Sequence, residues 1–237
     1  MPIFGSDIPT LKYLALAVIG KAGAGKTSLI RSMVEAGLNV AHLDLDGGAR
    51  SIRDLVGRKN FRYADCGTLA KFNAAWLAMD ELDDSWILMV DTFTALLEIK
   101  SRDVGQGKDK LTFDQYAKIG GAGVKILMQV KERAKGHDVI LLCQEDCVQD
   151  DMSHMYWGPR LTGKMTGKVF SDKFDGVFRL VVEQVGNKPA YKLLTVTTSD
   201  SETKLRVTPE EREKIPLTDD ASNFGNIFKV LRGVTDE

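Results

Sequence analysis

VIGKAGAGKTS, residues 18–28, is the stretch on which the reading of the whole chain turns. Gly20 to Thr27 follow G-x-x-x-x-G-K-T, a spacing in which glycines let backbone N–H groups converge on one point. Before it runs LALAVI (14–19), and after it comes an amphipathic segment from Thr27 to Ala36 that Gly37 stops. A continuous apolar run followed by a helical period reads as a buried strand feeding a helix, whose N-terminus favours an anion. The contacting set for a nucleotide is therefore Gly20, Lys21, Ala22, Gly23, Ala24, Gly25, Lys26, Thr27 and Ser28. Lys26 is expected to reach the β and γ phosphates and the Thr27 hydroxyl to hold Mg²⁺, so ATP and Mg²⁺ are the implied ligands.

Further strands follow the same logic. NVAHLDLD (39–46) ends in two acids, WILMVD (86–91) in one, and HDVILLCQ (137–144) in an amide. Helices are expected near 68–82 and over 113–134, the second interrupted by Gly120, Gly121 and Gly123. The polar, glycine-containing stretches 101–110 and 145–175 read as loops, the first of them mobile. From DGVFRL (175–180) onward the pattern is two strands joined at VGNKPA (185–190). Residues 1–12 form a lead-in, 13–205 the core, and 206–237 an extension expected to pack on the core or on a neighbouring subunit. Strands alternating with helices predict one doubly wound α/β domain, its mostly parallel sheet closed by an antiparallel C-terminal hairpin. Ligands in such folds bind at the carboxyl ends of the strands, where segments 44–50, 91–94 and 144–151 fall.

Composition narrows the class. With 43% hydrophobic and 27% charged residues in 237, the chain has the balance of an ordinary globular protein with a full core. A net charge of −1 excludes a globally basic nucleic-acid binder and leaves only a local basic surface. Cys66, Cys143 and Cys147 match neither a disulfide framework nor a zinc pattern. The N-terminal apolar run is too short to span a membrane, so a reduced, cytoplasmic location is expected.

Asp91 ends an apolar strand, the place of a carboxylate that orients magnesium through water. Asp44 and Asp46 share one side of their strand, and either is a candidate to polarise the water that attacks a γ-phosphate. Gln144 ends its strand where an uncharged amide can sense that phosphate.

In order and spacing, the loop at 20–27, Asp46, Asp91 and Gln144 resemble the four stations of a RecA-type ATPase core. More closely, the chain is similar to the small phage-encoded RecA-core ATPases of the Sak type. The stretches that carry this likeness are LDLDGGARSIRDL, MVDTFTALLE, FDQYAKIG, VILLCQED and GPRLTGKMTGKVFSDKFDGVFRL. The resemblance implies a three-layer fold and an ATPase, slow and DNA-stimulated, with Lys26, Asp46, Asp91 and Gln144 as catalytic residues. It also implies a role in single-strand annealing, recombination or replication inside a phage-infected bacterial host. A ring or filament of identical subunits belongs to the same expectation, as does partnership with a single-strand-binding or other recombination protein. Asp46 stands where the RecA group usually has Glu, and Asp44 stays a competing choice.

By the same likeness the loops after Asp91 and Gln144 face single-stranded DNA. Arg160, Lys164, Lys168 and Lys173 supply positive charge there, and Tyr156 and Trp157 rings for base stacking. The earlier loop carries Lys100, Arg102, Lys108 and Lys110. Lys164 or Lys168 is alternatively a residue that reaches a neighbouring subunit's nucleotide. Three rivals stand beside this reading. Lys21 and the acid-Gly-Gly element echo the partition-type ATPases, although Ala22 and the Thr-Phe-Thr after Asp91 depart from them. A partner-recruiting nucleotide switch and a small-molecule kinase are the others. Sheet order separates the first: the RecA branch places another strand between those bearing the loop and Asp91, whereas the partition branch makes them neighbours.

Overall fold

The computed structural model describes residues 12–106, 110–149, 153–162, 164–198, 201 and 203–233. The first half contains β1 (Ala15–Gly20), α1 (Lys26–Glu35), β2 (Asn39–Asp44), a 3₁₀ segment (Gly48–Leu55), β3 (Phe61–Asp65), α2 (Leu69–Ala78), β4 (Trp86–Asp91), α3 (Phe93–Gly105) and α4 (Phe113–Arg133). The second adds β5 (Val139–Gln149), β6 (Met155–Pro159), α5 (Lys164–Phe170), β7 (Gly176–Val185), β8 (Lys188–Leu194), β9 (Lys204–Leu205), α6 (Pro209–Lys214), β10 (Thr218–Asp220) and α7 (Phe224–Leu231).

The sheet runs β10-β8-β7-β1-β5-β4-β2-β3, with β6 on β5 and β9 on β7. From β7 to β3 every neighbour is parallel, while β8 and β10 add an antiparallel edge. β5 lies between β1 and β4, so the strand that feeds the glycine loop and the strand that ends in Asp91 are separated by one. That is the RecA-type order, and it excludes the partition-type arrangement.

Every residue of β1 is buried because the sheet is covered on both faces. Leu16 and Val18 point into a core shared with α1, the 3₁₀ segment and α7; Ala15, Ala17 and Ile19 point into one shared with α2 to α5. At the amino end of the sheet two buried carboxylates receive the incoming chain. Asp138 accepts from the Leu14 N–H at 2.7 Å and Asp175 from the Ala15 N–H at 2.9 Å.

Several expectations need correction. Helix α4 is continuous through its glycines and is not interrupted by them; Gly123 is the one that serves packing. A Cβ on Gly123 would lie 2.5 Å from Thr166 Oγ1, and that hydroxyl donates to the Gly120 carbonyl at 3.1 Å. Residues 101–105 are not loop but the end of α3; residues 107–109, with Lys108, fall outside the described set. The segment 145–175 is largely structured, since β5 runs on to Gln149, returns as β6 and continues into α5. Strands β3, β9 and β10 had no clear sequence signal.

The C-terminal residues complete the layer on the loop side. Ser32 Oγ of α1 donates to the Ser222 carbonyl at 2.6 Å and accepts from the Gly225 N–H at 3.0 Å. Phe224, Ile227, Phe228 and Leu231 are buried in the same core as Leu29 and Met33. A Cβ on Gly225 would sit 2.6 Å from the Ser32 carbonyl oxygen, which is backbone and has little room to yield. Gly225→Val should therefore force α7 away from α1 and destabilise the protein by about 1–3 kcal/mol. Urea unfolding checks this; unchanged stability would mean that α7 is not part of the cooperative unit.

Candidate functional site

The loop between β1 and α1 is shaped by two left-handed glycines, Gly23 at φ 77° and Gly25 at φ 86°. Gly25 is the N-cap of α1 and offers no side-chain cap, so the first N–H groups of the helix are left for another acceptor. Lys26 is buried, its ammonium donating to the Gly20 carbonyl at 2.7 Å and the Lys21 carbonyl at 2.8 Å. Burial holds its pKa below the ordinary lysine value, against the pull of Asp91.

Strand β4 delivers Asp91 to the same point. Thr27 Oγ1 donates to Asp91 Oδ2 at 2.7 Å across 64 residues of chain, and Asp91 is 1% exposed. A hydroxyl and a carboxylate side by side are hard oxygen donors, suited to Mg²⁺ that takes its other ligands from phosphate and water. Among the described residues no cluster of three or more His, Cys, Asp or Glu forms a metal cage. Gly48 keeps this corner open: a Cβ there would lie 3.1 Å from both Thr27 Oγ1 and Asp46 Oδ1.

The two acids after β2 have different environments. Asp44 is 2% exposed and saturated. Its Oδ1 accepts from the N–H groups of Gly47 at 2.9 Å and Gly48 at 3.1 Å, its Oδ2 from Ala49 N–H and the Tyr63 hydroxyl, each at 3.2 Å. Asp44 thus shapes the turn. Asp46 projects into the cavity with one bond, from the Gly48 N–H at 3.2 Å. Partial burial of its carboxyl, then the charges of Asp91 and Asp44, push its pKa up to about 6.

The cavity holding these groups is about 580 Å³, and Lys26, Thr27, Asp46, Asp91 and Gln144 are among its lining residues. Tyr191 of β8, Arg31 and Asp220 to Ser222 line it too. Tyr191 packs over the loop, its Cδ1 3.3 Å from where a Gly25 Cβ would stand. Sequence reasoning missed this second group. The only local signal is the Asp220 cap, whose Oδ1 accepts from Ser222 N–H at 2.9 Å, and it marks a turn, not a binding wall.

Gln144 is where β5 passes the site. Its N–H donates to Thr94 Oγ1 at 3.0 Å, and its Oε1 accepts from Arg160 at 3.1 Å. Arg160 also donates to Glu98 Oε1 at 2.5 Å, so its guanidinium is shared between a sensor-position amide and an acid of α3.

The aromatic and basic residues expected to meet DNA do not form one strip. Trp157 lies under two cations of its own chain, Lys21 Nζ at 4.4 Å and the Arg179 guanidinium carbon at 5.3 Å from the ring centroid. Arg179 is held by Glu145 at 2.9 Å, both nearly buried. Trp157 therefore braces the β5–β6 hairpin against the loop instead of offering a free stacking face, and Lys21 is engaged within its own chain. Tyr156 is half-buried beside Gly158. Arg160 sits at the carboxyl end of the sheet beside Gln144, whereas Lys173 lies two residues before Asp175, which pairs with Ala15 at the amino end. The segment between them, with Lys164 and Lys168 on α5, crosses the sheet because Phe170 and Phe174 are drawn into the core.

Asp44→Asn should leave buried N–H donors facing an amide and cost about 1–3 kcal/mol in urea unfolding. Asp46→Asn should do the opposite. Its folded pKa of about 6 lies above the ordinary 3.8, so ionising Asp46 costs stability as pH rises through that window. Melting curves from pH 4 to 7 without nucleotide should show Asp46→Asn losing less stability than wild type; a steeper loss would contradict the assignment.

The family model described as "AAA domain" matches residues 12–207. No curated protein matches the sequence. Among solved structures, a KaiC-like protein, PH0186, from the hyperthermophilic archaeon Pyrococcus horikoshii OT3 is similar at 14% identity and a TM-score of 0.46. That match covers 76% of this chain and 77% of the other. Among the described residues no helix is long and apolar enough to cross a membrane. With a family model matched from the start of β1 through β9, a phosphate loop at the head of α1 and the RecA-type strand order, the chain belongs to the AAA domain family of P-loop ATPases.

Proposed function

We propose that the protein binds and hydrolyses ATP with Mg²⁺ and couples that cycle to single-stranded DNA in recombination, annealing or replication. The observation that carries the catalytic half is the convergence of Lys26, the Thr27–Asp91 pair and a lightly bonded Asp46 in one cavity. Mg²⁺, when bound, would neutralise phosphate charge. Lys26 exchanges its two carbonyl partners for phosphate oxygens, a swap favoured because its ammonium is already desolvated. Thr27 and Asp91 hold the cation's corner. Asp46 orients the attacking water as its base, a role open to it because its lone pairs are largely unused. Asp44 is spent on the backbone of the turn. Tyr191 and the 220–222 turn line the same cavity and supply an aromatic ring and polar groups for the rest of the nucleotide.

The DNA half rests on the resemblance to the Sak-type ATPases and on the position of the β5–β6 hairpin. That hairpin leaves the sheet at Gln144, the phosphate-sensing position, and Arg160 at its far end returns to the same amide. A change at Gln144 is thereby mechanically joined to the surface beyond the sheet. Assembly into a ring or filament belongs to the same proposal, with Lys164 or Lys168 as residues to offer a neighbour.

Steady-state ATP turnover with and without single-stranded DNA, over a salt series, tests both halves. Turnover should rise with DNA, and binding should weaken steeply with salt. Absence of both effects removes the DNA half alone. Lys26→Ala should abolish turnover, and Asp46→Asn should lower kcat by about 10²-fold or more with little change in nucleotide affinity. Unaltered turnover in Lys26→Ala would overturn the catalytic half.

A further inference from the structure

His42 has no part in the site as described so far. It lies on β2, on the same side as Asp44 and two residues before it, and its side chain is fully buried. Both ring nitrogens are buried without a hydrogen bond. An imidazole in that position is costly, since its N–H and its lone pair lose water without replacement. Phe61 and Tyr63 of β3 pack against the ring, with centroids at 6.4 and 5.7 Å, so an apolar side chain would fill the space at lower cost. One polar group faces it: Nε2 stands 3.5 Å from Asp91 Oδ2, the oxygen that accepts from Thr27. The strand register brings the two side chains onto the same side of the sheet. Asp44 pairs with Asp91 and His42 with Met89 across β2 and β4, so His42 sits one pleat below the carboxylate.

We infer that His42 is a positioning residue for Asp91: it directs its Nε2–H at Oδ2 from beneath, so that the carboxylate stays turned towards Thr27 and ready for the cation. This rests on the reading of Thr27 and Asp91 as the Mg²⁺ corner. The Thr27 hydroxyl hydrogen-bonded to that oxygen from α1, and an imidazole nitrogen 3.5 Å from it on β2, together restrict the rotation that a carboxylate at a strand end otherwise keeps. His42 touches neither nucleotide nor water and acts through Asp91 alone. Partners of this kind, which orient a metal-binding carboxylate, typically matter 10–100-fold in metal affinity.

The test is equilibrium binding of a fluorescent ATP analogue to the full chain, titrated with Mg²⁺ and repeated in EDTA, for wild type, His42→Phe and His42→Gln. His42→Phe keeps the ring packing and removes both nitrogens. The expected result is a rise of roughly ten-fold in the half-saturating Mg²⁺ concentration, with unchanged affinity in EDTA and an unchanged or higher melting temperature. His42→Gln, whose amide offers an N–H in the same direction, should recover part of the Mg²⁺ response. If His42→Phe does not fold, His42→Leu repeats the comparison without a ring. Wild-type Mg²⁺ dependence in a folded His42→Phe overturns the inference, as does an equal loss of affinity in Mg²⁺ and in EDTA, which would indicate packing only. Wild-type protein whose nucleotide binding ignores Mg²⁺ overturns the metal-corner reading together with this inference, so the two failures are told apart.

Discussion

The hydrogen bond from Thr27 to Asp91 is the constraint on which the remaining geometry depends. It joins the first turn of α1 to the end of β4 across the width of β5, so those two strands cannot slide without breaking it. Asp91 is fixed by its backbone as well, because its carbonyl accepts from the Leu45 N–H at 2.7 Å. That bond sets the point at which the chain leaves β2. Asp44 is thereby placed inside, to organise the turn, and Asp46 outside, in the cavity. A carboxylate with four donors and another with one, two residues apart, separates an acid spent on the turn from one left open to the cavity.

The opposite end of the sheet holds the frame rigid. Asp138 and Asp175 receive the backbone of residues 14 and 15, and each is itself paired, Asp138 with Arg232 at 3.0 Å and Asp175 with Lys131 at 3.0 Å. Arg232 belongs to the C-terminal segment and Lys131 to α4, so both helical layers are tied to the start of β1. Burial raises the Asp138 pKa to about 6 even so, which marks this carboxylate as costly to keep charged. The C-terminal segment thus contributes at both ends of the molecule, through Arg232 here and through the 220–222 turn at the cavity.

The β5–β6 hairpin is tied to the site at several points. Its root is Gln144, its inner edge is Glu145 paired with Arg179, and its returning strand lays Trp157 beneath Lys21 of the phosphate loop. Lys21, which by motif alone echoes the partition-type ATPases, stacks on Trp157 within its own chain.

The nucleotide loop, the strand character of 15–20, 39–44 and 86–91, and the doubly wound class could be read from the chain alone. These depend on contiguous residues: glycine backbone freedom, apolar runs, and helical periodicity act over a few positions. Gln144 and Asp91 were visible for the same reason, as polar residues closing apolar runs. The different environments of Asp44 and Asp46 were not visible, because they depend on Tyr63 and on the turn at 47–49 folding over one carboxylate and not the other. Nor were the roles of His42, Tyr191 and Ser222, since each acts through a neighbour that only strand register or helix packing brings near. Nor was the spread of the basic residues 160–173 visible, for a related reason: charge spacing along the chain says nothing of direction, and the burial of Phe170 and Phe174 carries that segment from one end of the sheet to the other.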